Sequence, residues 1–177
     1  MKSQKIIHET HDSIKEMIKD SGLEVIKEWT SGSVWRLQIK HGEKIIFLVH
    51  PEKMRWVKVI FAMDLDDAEV LRKINDLFNH PKTGPQAIYL MRSTINNPHS
   101  GFEIIMKDDQ FSGFHISMNI FPFERDFSIR DLDQAIQTIV AVGIAGIDYL
   151  RMLMGNIVLQ QKAIDEFPKT DPGQMYG

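Results

Sequence analysis

"IVAVGIAGIDYL", residues 139–150, is the most apolar stretch of this chain, and two glycines interrupt it. Three readings compete: a membrane span, a phosphate-cradling loop, and a helix buried against other elements. A span needs about 20 consecutive apolar residues. The uninterrupted run from Ile139 to Ile147 is far shorter, with Asp148 and Arg151 behind it and Asp131, Asp133 and Gln137 ahead. No membrane span is expected. Phosphate loops follow a strand and open a helix, whereas Gly143 and Gly146 lie inside a helical pattern without the further glycines or the lysine. The packing reading remains. At helical spacing, Leu132, Ile136, Ile139, Val140, Gly143, Ile147, Leu150 and Met154 form one stripe. A glycine in a helix interior costs about 1 kcal/mol relative to alanine, so a backbone or a bulky side chain should approach closely at Gly143. The other face carries Ala141, Val142, Ala145 and Tyr149, so this helix should be covered on both sides. One cover is its own sheet. The other is either the first helix of the chain or the same helix of a second subunit, which makes a homodimer through Gly143, Ala145, Gly146 and Tyr149 one of two expectations.

Outward from this helix the chain reads as α+β. Residues 3–21 carry Ile7, Ile14 and Ile18 at near-helical spacing, and Gly22 suits a helix end. "LEVIKEW", "SVWRLQIK" and "KIIFLVH" read as strands. Trp35, Leu37 and Ile39 share one face, and "HGE" (41–43) makes a hairpin turn. "RWVKVIFAMDL" follows, with Val57, Val59, Phe61 and Met63 on one face. A second helix starts at "DDAE", where Asp66 can cap and Glu69 can reciprocate. "HPKTGP" ends it. "AIYLMRSTI", "FEIIMK" and "FHISMNIF" then read as strands, joined too briefly for parallel crossovers. Ser128, with Asp131 three residues on, opens the last helix. It runs at least to Met154, with an extension past Gly155 toward Phe167 left open. The expected order is helix, three or four strands, helix, two or three strands, long helix, around an antiparallel sheet. One domain is expected over residues 1–164 and a disordered tail over 165–177.

Composition bounds the function. The 177 residues suffice for one core, and 43% apolar with 25% charged residues is ordinary for a soluble globular protein. A net charge of −3 without a basic cluster argues against a nucleic-acid partner. The absence of cysteine removes disulfides, thiolate metal sites and thiol catalysis. The charged N-terminus lacks the apolar core of a secretory signal, so a cytoplasmic location is expected.

Candidate chemistry is sparse. His8 and His11 in "HETH" are three apart, not the four of the metalloprotease helix, and no third ligand is identifiable. "DLDDAE" (64–69) runs straight into a helix, unlike a calcium loop. The histidines at 8, 11, 41, 50, 80, 99 and 115 are scattered, and no nucleophile motif accompanies them. No catalytic, cofactor or metal residue is assigned. Trp56 alternates with Lys58 and Ile60, opposite the main apolar face of its strand. It is either an aromatic interaction surface or a side chain covered by a helix or second subunit.

The element order, carried by "VWRLQIKHGEKIIFLVH", "RWVKVIFAMDLDDAEVLRKINDLFN" and "FHISMNIFPFERDFSIRDLDQAIQTIVAVGIAGIDYL", resembles the type III secretion chaperone-like fold, including the YbjN-like bacterial proteins, over residues 3–155. An additional strand in each half departs from it. The resemblance implies a small α+β domain that dimerises and binds extended protein segments without catalysis. Function is therefore expected to be protein interaction, chaperone-like or adaptor-like. A small-ligand-binding domain and an enzyme with an unrecognised site are the alternatives.

Overall fold

The computed structural model describes residues 2–155, with side chains from residue 9 onward. The expected tail over 165–177 and the extension toward Phe167 lie outside the described residues. The described chain is α+β: four helices and a six-stranded antiparallel sheet in the order β1-β2-β3-β4-β6-β5. Its elements are α1 (Lys2–Asp20), β1 (Glu24–Ser31), β2 (Val34–His41), β3 (Lys44–His50), β4 (Val57–Asp64), α2 (Ala68–Phe78), α3 (Gly84–Thr94), β5 (Gly101–Lys107), β6 (Gln110–Ile120) and α4 (Ile129–Met154).

The chain divides into two compact units. The first holds residues 2–60 and 118–137, the second residues 61–117 and 138–155. In the first, α1 buries His11, Ile14 and Ile18, one per turn along a single stripe. Its C-terminus closes where Leu23 donates to the Ile18 carbonyl at 3.0 Å and Gly22 takes φ +71°. The β1–β2–β3 meander is antiparallel, with Leu37 opposite both Glu28 and Leu48. Ile26 is an extra residue in β1, because Val25 pairs with Ile39 and Lys27 already pairs with Gln38. Trp35, Leu37 and Ile39 are buried as their alternation predicts, and Ile46 and Leu48 join them from β3. The first turns of α4 add Leu132, Ala135 and Ile136, and Ser21 Oγ donates to Asp133 Oδ1 at 2.6 Å.

The second unit carries the main correction. "AIYLMRSTI", expected as a strand, lies in helix α3. Its run of Ile88, Tyr89, Leu90 and Met91 imitates a strand, yet the buried positions are Gly84, Ala87, Met91 and Ile95, at helical intervals. Pro85 sits in the first turn, where its missing N–H costs nothing and its fixed φ favours the helix. Gly84 lies directly against the Phe78 carbonyl, where a Cβ could not fit. Pro85 and this contact together start a new helix rather than a strand. A smaller correction concerns α2. Its cap is Asp67, whose Oδ1 accepts from Glu69 N at 2.9 Å and Val70 N at 3.0 Å, and not Asp66. Sequence spacing alone could not separate two adjacent aspartates.

In α4, Ser128 N and Oγ each donate to Asp131 Oδ2 at 2.7 Å, giving the expected opening. Gly155, at φ +68°, follows the last described helical residue, Met154. By length and composition alone α4 could cross a membrane, and 44% of its most apolar window is buried within the protein.

Candidate functional site

The glycines of the opening stretch meet aromatic rings of their own chain. A Cβ at Gly143 would collide with the body of the Phe61 ring. One at Gly146 would lie 2.8 Å from Phe114 Cζ and 3.1 Å from Ile95 Cγ2. The close approach expected at Gly143 is therefore made by a bulky side chain, and it needs no second subunit. Tyr149 is buried and donates from its hydroxyl to the Ala87 carbonyl at 2.8 Å; burial raises its phenol above the usual range. Ala145 is partly exposed, and its neighbour Ile144 is exposed. Trp56 is buried, with the Lys58 ammonium 5.7 Å from the centre of its ring.

The histidines go separate ways. His41 reaches Gln137 at 3.4 Å, and His80 caps its own turn beside Thr83 at 3.1 Å. His11 is buried on α1, with Nε2 3.3 Å from Glu28 Oε1 and Nδ1 3.5 Å from Asp12 Oδ1. Burial is the main cause that lowers its pKa, and Glu28 opposes the shift. Glu28 also accepts from Lys15 Nζ at 2.6 Å. The His8 side chain lies outside the described residues. Among the described residues no three His, Asp or Glu side chains gather closely enough to hold a metal ion.

What the structure does assemble is a solvent-open cleft of about 380 Å³ in the first unit. It forms where β6 ends, the 121–127 segment turns, and α4 begins. Met118, Ile120, Phe121 and Phe127 supply apolar walls, and Glu124, Asp126 and Asp131 supply carboxylates. The segment folds on itself because Glu124 N donates to the Phe121 carbonyl at 3.0 Å. Phe123 turns away and packs on the His50 ring, with centroids 5.4 Å apart. Asp131 is committed to Ser128, whose side-chain and backbone donors hold its carboxyl below the usual range. Phe121 is 46% exposed, and no lining residue is basic. Sequence reasoning missed this cleft. Its lining comes from a strand end, a turn and a helix start, and the one available signal was the dense mixture of Phe, Glu and Asp in "FPFERDF".

Fold and cleft together define an α+β protein with an acidic, aromatic-walled groove in its first unit. No family model matches the chain, and no curated protein matches it. Among solved structures, an uncharacterised protein from Methanothermobacter thermautotrophicus has the same fold. Its TM-score is 0.70 at 15% identity, over 82% of this chain and 99% of that one. YbjN from E. coli aligns with a TM-score of 0.46 at 8% identity, over 77% and 88% of the two chains.

Proposed function

We propose that this chain is a protein-interaction module whose cleft receives a basic, partly apolar segment of a partner protein. The composition of the cleft carries the reading. Apolar walls favour burial of aliphatic side chains. Glu124 and Asp126, exposed at the rim, suit charge-assisted hydrogen bonds from Lys or Arg. Rim charges act mainly on association rate and selectivity, so binding should weaken with salt. The edge of the sheet is a poorer receptor for an extended peptide. β1 is interrupted at Ile26 and carries Lys27 and Glu28, features that discourage strand addition.

A fluorescent peptide alternating leucine and lysine is the direct probe. Anisotropy should report binding that falls at least about tenfold, or about 1.4 kcal/mol, in the Glu124→Gln/Asp126→Asn double variant. A leucine–glutamate peptide should not bind. Equal affinity of the double variant would remove the cleft from the reading. The cleft volume also lies within the small-molecule range. A cationic small ligand retained in native mass spectra would replace the peptide as occupant. Homodimerisation, which the resemblance implies, belongs to the same proposal. Sedimentation of the full chain as a monomer at high micromolar concentration would end it.

A further inference from the structure

We propose that His50 is a proton-linked peg: doubly protonated, it ties two loops together behind the cleft, and losing one proton releases one of them. His50 is fully buried at the end of β3. Its Nδ1 lies 2.8 Å from the Ser33 carbonyl oxygen in the β1–β2 turn. Its Nε2 lies 2.9 Å from the Met54 carbonyl oxygen in the loop before β4. Both partners are acceptors only. A neutral imidazole has one N–H, so either tautomer aims a bare nitrogen lone pair at a carbonyl oxygen. Both separations match an N–H···O hydrogen bond, and two facing acceptors would move apart. Only the imidazolium completes both bonds.

The ring faces favour the same form. The Trp35 indole stacks on His50 at 5.6 Å and 18°, and Phe123 lies against it at 5.4 Å and 47°. Aromatic faces attract a cation, and two carbonyl dipoles point at its hydrogens. Against these stands the cost of burying charge. The ionisable groups on the surrounding elements stay at the rim. Glu52, Lys53 and Arg55 on the loop after β3, and Glu124, Arg125 and Asp126 on the segment bearing Phe123, are all exposed. Glu52 and Lys53 face each other at 3.8 Å. On β2, Arg36 follows Trp35 and reaches the Trp29 ring at 4.9 Å. Against the same indole, His11 lies tilted at 5.1 Å and 52°, with Asp12, Lys15 and Glu28 around it. The compensation for a charge on His50 therefore comes from carbonyls and rings.

Phe123, which packs on the His50 ring, belongs to the segment that lines the cleft, so the peg stands behind that wall. The sign follows from where the proton is used. The second bond exists only in the folded, protonated state, so its stabilisation is present at acid pH and lost as pH rises. The test needs no variant. Long-range proton–nitrogen correlation on the full-length, nitrogen-15-labelled chain, assigned through the backbone, reads both His50 ring nitrogens from about pH 5 to 9. The expected result is two protonated nitrogens with two slowly exchanging N–H signals on the acid side. One signal is then lost as pH rises, together with faster amide exchange, corrected for intrinsic rate, at residues 33–35 or 54–56. One bare nitrogen throughout the range would overturn the proposal. So would a titration that leaves exchange in both loops unchanged.

Discussion

Gly143 and His50 are both buried, one in each unit, and their surroundings have little in common. Around Gly143 the packing is steric and apolar. Phe61 fills the space of the absent side chain, Phe114 does the same at Gly146, and the two rings lie 6.5 Å apart. Phe78 meets Phe111 edge-on at 5.2 Å, and Phe102 lies 6.1 Å from Phe114. Around His50 the packing is aromatic and polar. His50 stacks on Trp35, His11 lies tilted against the same indole, and the buried Trp35 Nε1 hydrogen meets no acceptor among the described residues. The second unit thus depends on shape, whereas the first depends on protons and hydrogen bonds. Volume changes should damage the one, and pH changes should act on the other.

The largest expected effect tests the shape half. Gly143→Leu should lower stability by about 3 kcal/mol or more, because the ring of Phe61 cannot yield to a branched side chain. A denaturation midpoint that falls sharply supports this. An unchanged midpoint with an altered oligomeric state would return the glycine to a seam between subunits. Next is Asn75, a buried polar residue of the second unit. Its Nδ2 donates to the Leu71 and Phe111 carbonyls at 2.9 and 3.0 Å, and its Oδ1 accepts from Phe111 N at 2.8 Å. Asn75→Ala strands both backbone groups of Phe111 and should cost about 2 kcal/mol, read from the same midpoint. Loss of under a few tenths of that would mean water takes over the clasp. Asp67→Ala removes the α2 cap and should cost about 1 kcal/mol, with the helix fraying first in amide exchange.

The smallest expected effect tests the proton half. His11 has its pKa lowered in the fold, chiefly by burial. The unfolded chain therefore takes up the proton first. The stability that neutral His11 supplies is full above an ordinary histidine value of about 6.5 and declines as pH falls below it. Replacing it in His11→Phe should flatten the acid side of the stability curve. An unchanged slope would place the acid sensitivity elsewhere.

Most elements were legible because their period is strong. "VWRLQIK" and "KIIFLVH" pair as read, and the α4 stripe is buried as read from Leu132 to Leu150, with Met154 at its end only partly covered. α3 was not, because Ile88, Tyr89, Leu90 and Met91 are contiguous and its helical start depends on Gly84 meeting the Phe78 carbonyl, a contact from another turn of chain. Gly143 was legible as a close approach, but not its occupant, which is 82 residues away on β4 (143 − 61). The cleft and the His50 bonds were illegible for a related reason. Carbonyls from Ser33 and Met54 leave no side-chain signature.

The sheet ends in β1 on one side and β5 on the other, and neither ladder at these ends is regular. Ile26 interrupts β1. Beside β5, Ile105 pairs with Gly113 and Met106 with Phe111, which leaves Ser112 unpaired. Lysines stand at both places, Lys27 and Lys107. Each terminal strand is therefore a charged template on an irregular ladder, with the extra residue on β1 itself at one end and on β6, the neighbour of β5, at the other. The consequence concerns crowding: concentrated solutions should stay clear of fibrils. Deleting Ile26 would restore an even ladder and straighten β1, and thioflavin fluorescence on prolonged incubation should then rise where the parent chain stays dark.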